Sequence, residues 1–329
     1  MSYRLHLPIV AAPLLDLILG HPGLSDARCL DSAFPTQGRW PEGESRWYQA
    51  SGVRAVHVLR DHTGFTVTIA EASAPPDYRL ALALVDALAD ASGRDVLLPS
   101  GETVGRVALA AGHDEAWIRD HALESLRGWV REWSRERGLL RFEAACATVP
   151  LGPRLLGPML ADGKTFTRRF FELLRRCNAQ AAEIEALRAP RAELKLEGRD
   201  WTVTEYREGR ECVLPVDLDY VVLASADRLN QPPLLLPVAQ LEALCAGRGE
   251  WVSELELRLP ALGPGDWAML LAHAATLGAR RILDQRPPLI DRRYQLPAAR
   301  LLPHPNLVWA TRIVTVRPRF FTASAFAAG

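Results

Sequence analysis

The sequence predicts an α+β protein in which antiparallel or mixed sheets are flanked by helices, and three observations carry that reading. Stretches with apolar residues three and four apart, at 77–93, 114–137 and 165–187, predict helices. Short extended patterns, at 53–60, 65–70 and 201–206, predict strands. The segments 65–98 and 254–283 echo one another: each runs from an extended stretch through a proline, an aspartate and an aromatic residue into a helix, then a glycine and a second extended stretch. Two related α+β units would produce this echo. So would shared helix-start physics, because proline and aspartate are selected at helix entries generally.

The elements follow in order. Residues 5–20 are apolar, but His6, Pro8, Pro13 and Asp16 interrupt them, so neither a signal segment nor a membrane span is expected. Residues 24–48 are rich in turn formers and read as a long irregular loop. Val53 to Arg60 and Phe65 to Ala70 form a hairpin closed by Asp61, His62, Thr63 and Gly64, with Gly64 free to take a positive φ. A central helix starts near Asp77 behind Pro75 and Pro76 and ends at Gly93, and a short strand covers Val96 to Leu98. Asp114 to Arg137 is an amphipathic helix, followed by a strand at Leu140 to Thr148.

The run from Pro150 to Pro158 is the candidate boundary, dividing the chain into an N-terminal α+β domain, 1–155, and a C-terminal one, 156–329, with a single composite domain as the alternative. A helix follows at Thr165 to Leu187. Strands are expected at Ala192 to Leu196, Trp201 to Tyr206, Val213 to Leu223, Glu254 to Leu259 and Leu307 to Val316, with helices at Val238 to Ala246 and Asp266 to Leu277.

The 329 residues carry 39 Lys and Arg against 39 Asp and Glu, so no global field draws the chain to nucleic acid or an anionic membrane. Lys164 and Lys195 are the two lysines, an arginine bias that reads as genomic composition. Cys29, Cys146, Cys177, Cys212 and Cys245 have no zinc or redox spacing, so reduced thiols, a cytoplasmic setting and no metal or other cofactor are expected. Dinucleotide, P-loop, zincin, nucleophile-elbow and kinase motifs are all missing from the sequence.

Residues that could carry chemistry are therefore dispersed. His57, Asp61 and His62 cluster at the hairpin, and with His113, Asp114, Glu115 and His121 they could supply an acid and a base if folding brought them together. His121 is the first of these to mutate, since burial on its aromatic helix face would tune its pKa. Trp40, Trp47 and Tyr48, beside arginines in the irregular segment, have the composition of an interface anchor or of a local mini-core. Arg168, Arg169, Arg175 and Arg176 line one helix face, a solvated surface or a polyanion patch, and Phe320 and Phe321 mark a hydrophobic tail. The expectation is a non-catalytic bacterial accessory, adaptor or immunity/inhibitor-type protein that binds another protein or itself. The alternatives are a hydrolase or transferase built from spatially assembled His and carboxylate residues and, behind it, a nucleic-acid-binding protein.

Overall fold

The structure, a computed structural model, describes residues 2–281 apart from residues 10, 137, 197–198 and 227–231. The fold is α+β. In chain order its elements are β1 (Tyr3–Leu7), α1 (Leu15–Leu19), β2 (Arg28–Cys29), β3 (Gly43–Tyr48), β4 (Val56–Asp61), β5 (Gly64–Ile69), α2 (Pro75–Ser92), β6 (Val96–Leu97), β7 (Thr103–Val104), α3 (Arg106–Gly112), α4 (Glu115–Glu136), β8 (Leu140–Glu143), β9 (Thr148–Leu151), α5 (Pro153–Ala161) and α6 (Phe166–Leu187). They continue as β10 (Ala192–Leu196), β11 (Arg199–Arg207), β12 (Cys212–Pro215), β13 (Tyr220–Ala224), β14 (Leu234–Pro237), α7 (Leu241–Leu244), β15 (Glu250–Ser253), β16 (Glu256–Leu259), α8 (Pro264–Thr276) and β17 (Arg280–Arg281). The described residues divide into two compact units, 2–182 and 183–281, so the division falls inside α6. Pro150 to Pro158 lies within the first of these units, as the end of β9 and the start of α5. The predicted strand at 307–316 and the tail with Phe320 and Phe321 lie outside the described residues.

The first unit is built on an antiparallel sheet in the order β2-β3-β4-β5-β1-β6-β7. Strand alternation sends Leu5, Leu7, Trp47, Val56, Val58, Phe65, Val67 and Ile69 to one face, where α2 covers them with Tyr78, Ala81, Leu84, Val85 and Leu88. The β4–β5 turn is tighter than the sequence suggested, because Asp61 already pairs with Gly64 across the ladder. Gly64 has φ +139°, and a Cβ there would stand 2.0 Å from the Leu7 carbonyl oxygen, so glycine is required. Asp61 Oδ1 accepts from both the backbone N–H and the hydroxyl of Thr63, an Asx turn that stiffens the same corner.

β3 breaks the predicted irregularity of 24–48. Its sequence, GESRWY, carries few β-formers, but Ser45 and Trp47 point inward and the strand is held by its ladder with β4. The expected strand at 140–148 splits into the β8–β9 hairpin, and the expected strand at 213–223 splits into β12 and β13, which belong to different sheets.

The second unit has a mixed five-stranded sheet, β10-β11-β13-β14-β17, and a three-stranded sheet, β12-β16-β15. Tyr206, Val221, Leu223 and Leu236 pack with Trp267 and Leu270 of α8. The two echoing segments are wired differently. β5 and β6 both pair with β1 in one sheet, whereas β16 and β17 lie in separate sheets. Tyr78 and Trp267, the aromatics at the two helix entries, are both buried, but Asp77 is buried and Asp266 is exposed.

Candidate functional site

The same alternation that fills the core of the first unit presents a second set of side chains on the opposite face of its sheet, where none of the unit's helices is laid. Register places Arg46, His57, Thr68 and Arg4 in one row across β3, β4, β5 and β1, and Glu44, Leu59, Thr66 and His6 in the next. Neighbouring strands stand about 4.8 Å apart, so each row is a line of adjacent side chains. A groove of about 560 Å³ lies on this face, lined in part by Arg4, Glu44, Arg54, His57, Thr66 and Thr68.

The His57 Nδ1–H donates to Glu44 Oε1 at 2.5 Å, with the two side chains 41% and 59% exposed. That bond orients the ring and leaves Nε2 without a partner among the described residues. His6 Nδ1 and the Thr66 hydroxyl are hydrogen-bonded at 3.1 Å on the same face. Arg46 is occupied by Asp31, to which it gives Nε–H and Nη2–H. Those bonds and the Arg46 backbone N–H help hold the Asp31 carboxyl below the usual carboxylate range, even though burial works to raise it.

Other polar clusters are internally satisfied. The His113 Nδ1–H donates to the Leu109 carbonyl at 3.0 Å, so Nε2 accepts from the Tyr3 hydroxyl at 2.7 Å. His121 stacks on Trp117, with ring centroids 4.6 Å apart, and meets Tyr3 and Tyr78 edge-on. Burial pushes both imidazoles below the ordinary histidine value. His21 is also fully used: Nδ1 accepts from the Gly23 N–H at 3.2 Å, and the Nε2–H donates to Asp86 at 3.0 Å. Asp86 takes two further bonds from Arg106, whose remaining arm pairs with Asp90. These bonds keep the Asp86 carboxyl below its ordinary value. This cluster borders a second groove, of about 290 Å³, floored by Leu82, Ala83, Leu109 and Ile118.

Asp77 is the most unusual carboxylate. It is buried and accepts the backbone N–H groups of Val53 (3.0 Å), Arg54 (3.2 Å) and Ala74 (2.8 Å), tying the start of α2 to the β3–β4 connection. Burial raises its pKa to about 7 against the pull of those donors and of Arg54. Gly52 makes room for it, since a Cβ there would meet Oδ1 at 2.2 Å. Asn178 holds the same connection from α6, donating to the Val53 carbonyl and accepting from the Cys146 N–H.

The residues singled out from sequence are therefore dispersed. His57 lies on the open face, Asp61 and His62 at the hairpin tip, and His121 on the helix-covered side beside Tyr3, whose strand neighbours Leu5 and Leu7 face the core. The four do not share a cleft. Trp40 and Trp47 are buried in a mini-core with Phe34 and Phe65, which leaves no ring surface for a partner, and Tyr48 is half-buried. Arg175 donates to the Ser51 carbonyl and Arg168 lies 4.0 Å from Glu172, so the arginine face of α6 is partly engaged at home. Among the described residues no three His, Cys, Asp or Glu side chains are grouped to hold a metal ion, and no helix is long and apolar enough to cross a membrane.

Sequence reasoning missed Arg4, Glu44 and Asp77. For Arg4 a usable signal existed in the alternation of Tyr3–Leu7, which resembles a strand with one polar face. Family models, curated proteins and solved structures contain no match to this chain.

Proposed function

We propose that the chain is a non-catalytic protein-binding protein, an adaptor or an inhibitor- or immunity-type accessory, and that it meets its partner through the open face of the seven-stranded sheet. The observation that supports this reading is the division of labour among polar side chains. His21, His113, Asp77 and Asp86 have their hydrogen-bonding capacity consumed inside the fold, whereas Arg4, His57 and the 42%-exposed Leu59 stand on a face with no helix of the unit over it. A broad surface of mixed polar and aliphatic residues suits a protein partner, which supplies both apolar area and complementary charge.

The test is affinity capture of the intact protein from lysate of its own host, run beside the Leu59→Arg variant. A near-stoichiometric protein retained by the wild type and lost by the variant supports the reading. A monomeric protein that captures nothing overturns it.

One observation favours a second reading, a hydrolase or transferase. Glu44 orients His57 with Nε2 outward in the roomier groove, the arrangement of a general base held by a carboxylate. Turnover of ester or phosphoester probes that disappears in His57→Gln would favour this second reading over the first.

A further inference from the structure

We infer that the open sheet face carries out acyl transfer from an uncharged carboxylic ester, with Thr68 as nucleophile, His57 as its base and Arg4 as the donor to the oxyanion. This rests on the second reading above, a hydrolase or transferase, and names its nucleophile and substrate class. Order along a single row carries it. Thr68 on β5 is the direct cross-strand partner of His57 on one side and of Arg4 on the other. Directly opposed residues hold their Cβ atoms about 4.5–5.5 Å apart, so the imidazole, the hydroxyl and the guanidinium are neighbours. Glu44 stands on β3, on the other side of His57 from Thr68, and engages Nδ1–H there. His57 Nε2 and the Thr68 hydroxyl make no hydrogen bond among the described residues, and both residues line the same groove. A base and a nucleophile left open in this way close up when substrate binds.

In the first half-reaction Thr68 Oγ1 bonds to the ester carbonyl carbon as His57 Nε2 takes the hydroxyl proton. The Glu44 carboxylate stabilises the imidazolium, and Arg4 donates to the oxyanion. Collapse breaks the bond between that carbon and the alcohol oxygen, and the alcohol leaves with the proton from Nε2. Water then repeats the sequence on the acyl-Thr68 ester, releasing the carboxylic acid and restoring the hydroxyl. The charged residues that line the groove, Arg4 and Arg54 against Glu44 and Glu71, balance, which suits an uncharged ester over a charged one. Exposed Leu59 offers the acyl chain apolar surface in the same groove.

The experiment follows p-nitrophenol release from p-nitrophenyl butyrate by the intact protein, with the butyryl group mapped to its residue by mass spectrometry of acid-quenched samples. Saturable turnover with butyryl on Thr68 is expected, and kcat/KM falls at least about 100-fold in Thr68→Val and in His57→Gln. Arg4→Gln and Glu44→Gln lower kcat at least about tenfold with KM unchanged, and Thr68→Ser retains turnover. His62→Gln, at the exposed hairpin tip, stays within about twofold of wild type. Thermal melts confirm that the variants fold. Butyryl on His57, or turnover that survives Thr68→Val but not His57→Gln, overturns the assignment of Thr68 while the hydrolase reading stands. No turnover in the wild type, or equal losses in His57→Gln and His62→Gln, overturns both and leaves the protein-binding reading.

Discussion

Replacing Asp77 by alanine removes the acceptor for three buried backbone N–H groups, those of Val53, Arg54 and Ala74. Each buried donor left unpaired costs about 1–3 kcal/mol. Relief of the carboxylate's own desolvation offsets part of that, and the expected net loss is about 3–5 kcal/mol, a large share of the roughly 5–15 kcal/mol that holds a domain together. With a urea m-value of about 2–3 kcal/mol/M, the midpoint for the first unit falls by about 1–2 M.

Asp77→Asn keeps one oxygen and is milder, and it also isolates the pH effect. The carboxyl titrates at about 7 in the fold against an ordinary value of 3.8. A folded pKa above the unfolded one means that the native state holds the extra proton. The resulting stability is therefore fully present below the unfolded value and lost as pH rises through about 7. The stability advantage of wild type over Asp77→Asn should shrink between pH 5 and pH 8, by an amount on the order of 3 kcal/mol. Taking the difference cancels the histidine contributions common to both proteins. Urea titrations followed by tryptophan fluorescence read it directly. An advantage that stays flat, or grows with pH, would refute the reasoning, because it would mean that the three N–H donors and Arg54 outweigh burial and keep the carboxylate ionised throughout.

Further outcomes follow from the same geometry. Gly64→Ala drives a Cβ against the Leu7 carbonyl at φ +139° and should cost about 2–4 kcal/mol, whereas Gly93→Ala, at φ +62° with open space around it, should cost only about 1 kcal/mol; paired thermal melts compare them. Because burial depresses His113 and His121, the unfolded chain binds more protons, so their contribution is complete above about pH 6.5 and is lost as pH falls; in His113→Gln/His121→Gln this acid-side slope should flatten. In native protein a thiol reagent should label exposed Cys146 first, while Cys177, Cys212 and Cys245 wait for unfolding, since burial raises the thiols of Cys212 and Cys245 to about 12; mass spectrometry of the labelled peptides checks the order.

What could be read from the chain depended on whether its signal was local. α2 shows this well: Pro75, Pro76, Asp77 and Gly93 punctuate it, and the helix runs Pro75–Ser92 with Gly93 left-handed at φ +62°. α4 and α6 emerged within a residue or so of their periodic patterns. β3 did not, because its β character is conferred by pairing with β4 rather than by its own residues. Trp40 and Trp47 carried a composition that fits an interface and a core equally well, and only packing against Phe34 and Phe65 separated the two.

By itself the sequence determined the α+β class, the long helices and the glycine-closed hairpin, because periodicity and turn chemistry act over a few residues. The tertiary structure alone decided that His57 and His121 lie on opposite sides of one sheet, that Asp77 is a buried tie rather than a surface cap, and that Arg4 stands in the same cross-strand row as His57 with Thr68 between them. The placement of His57 and Arg4 is set by register between β1, β3, β4 and β5, where paired residues lie up to 66 positions apart, and pairing over such distances leaves no trace in local pattern.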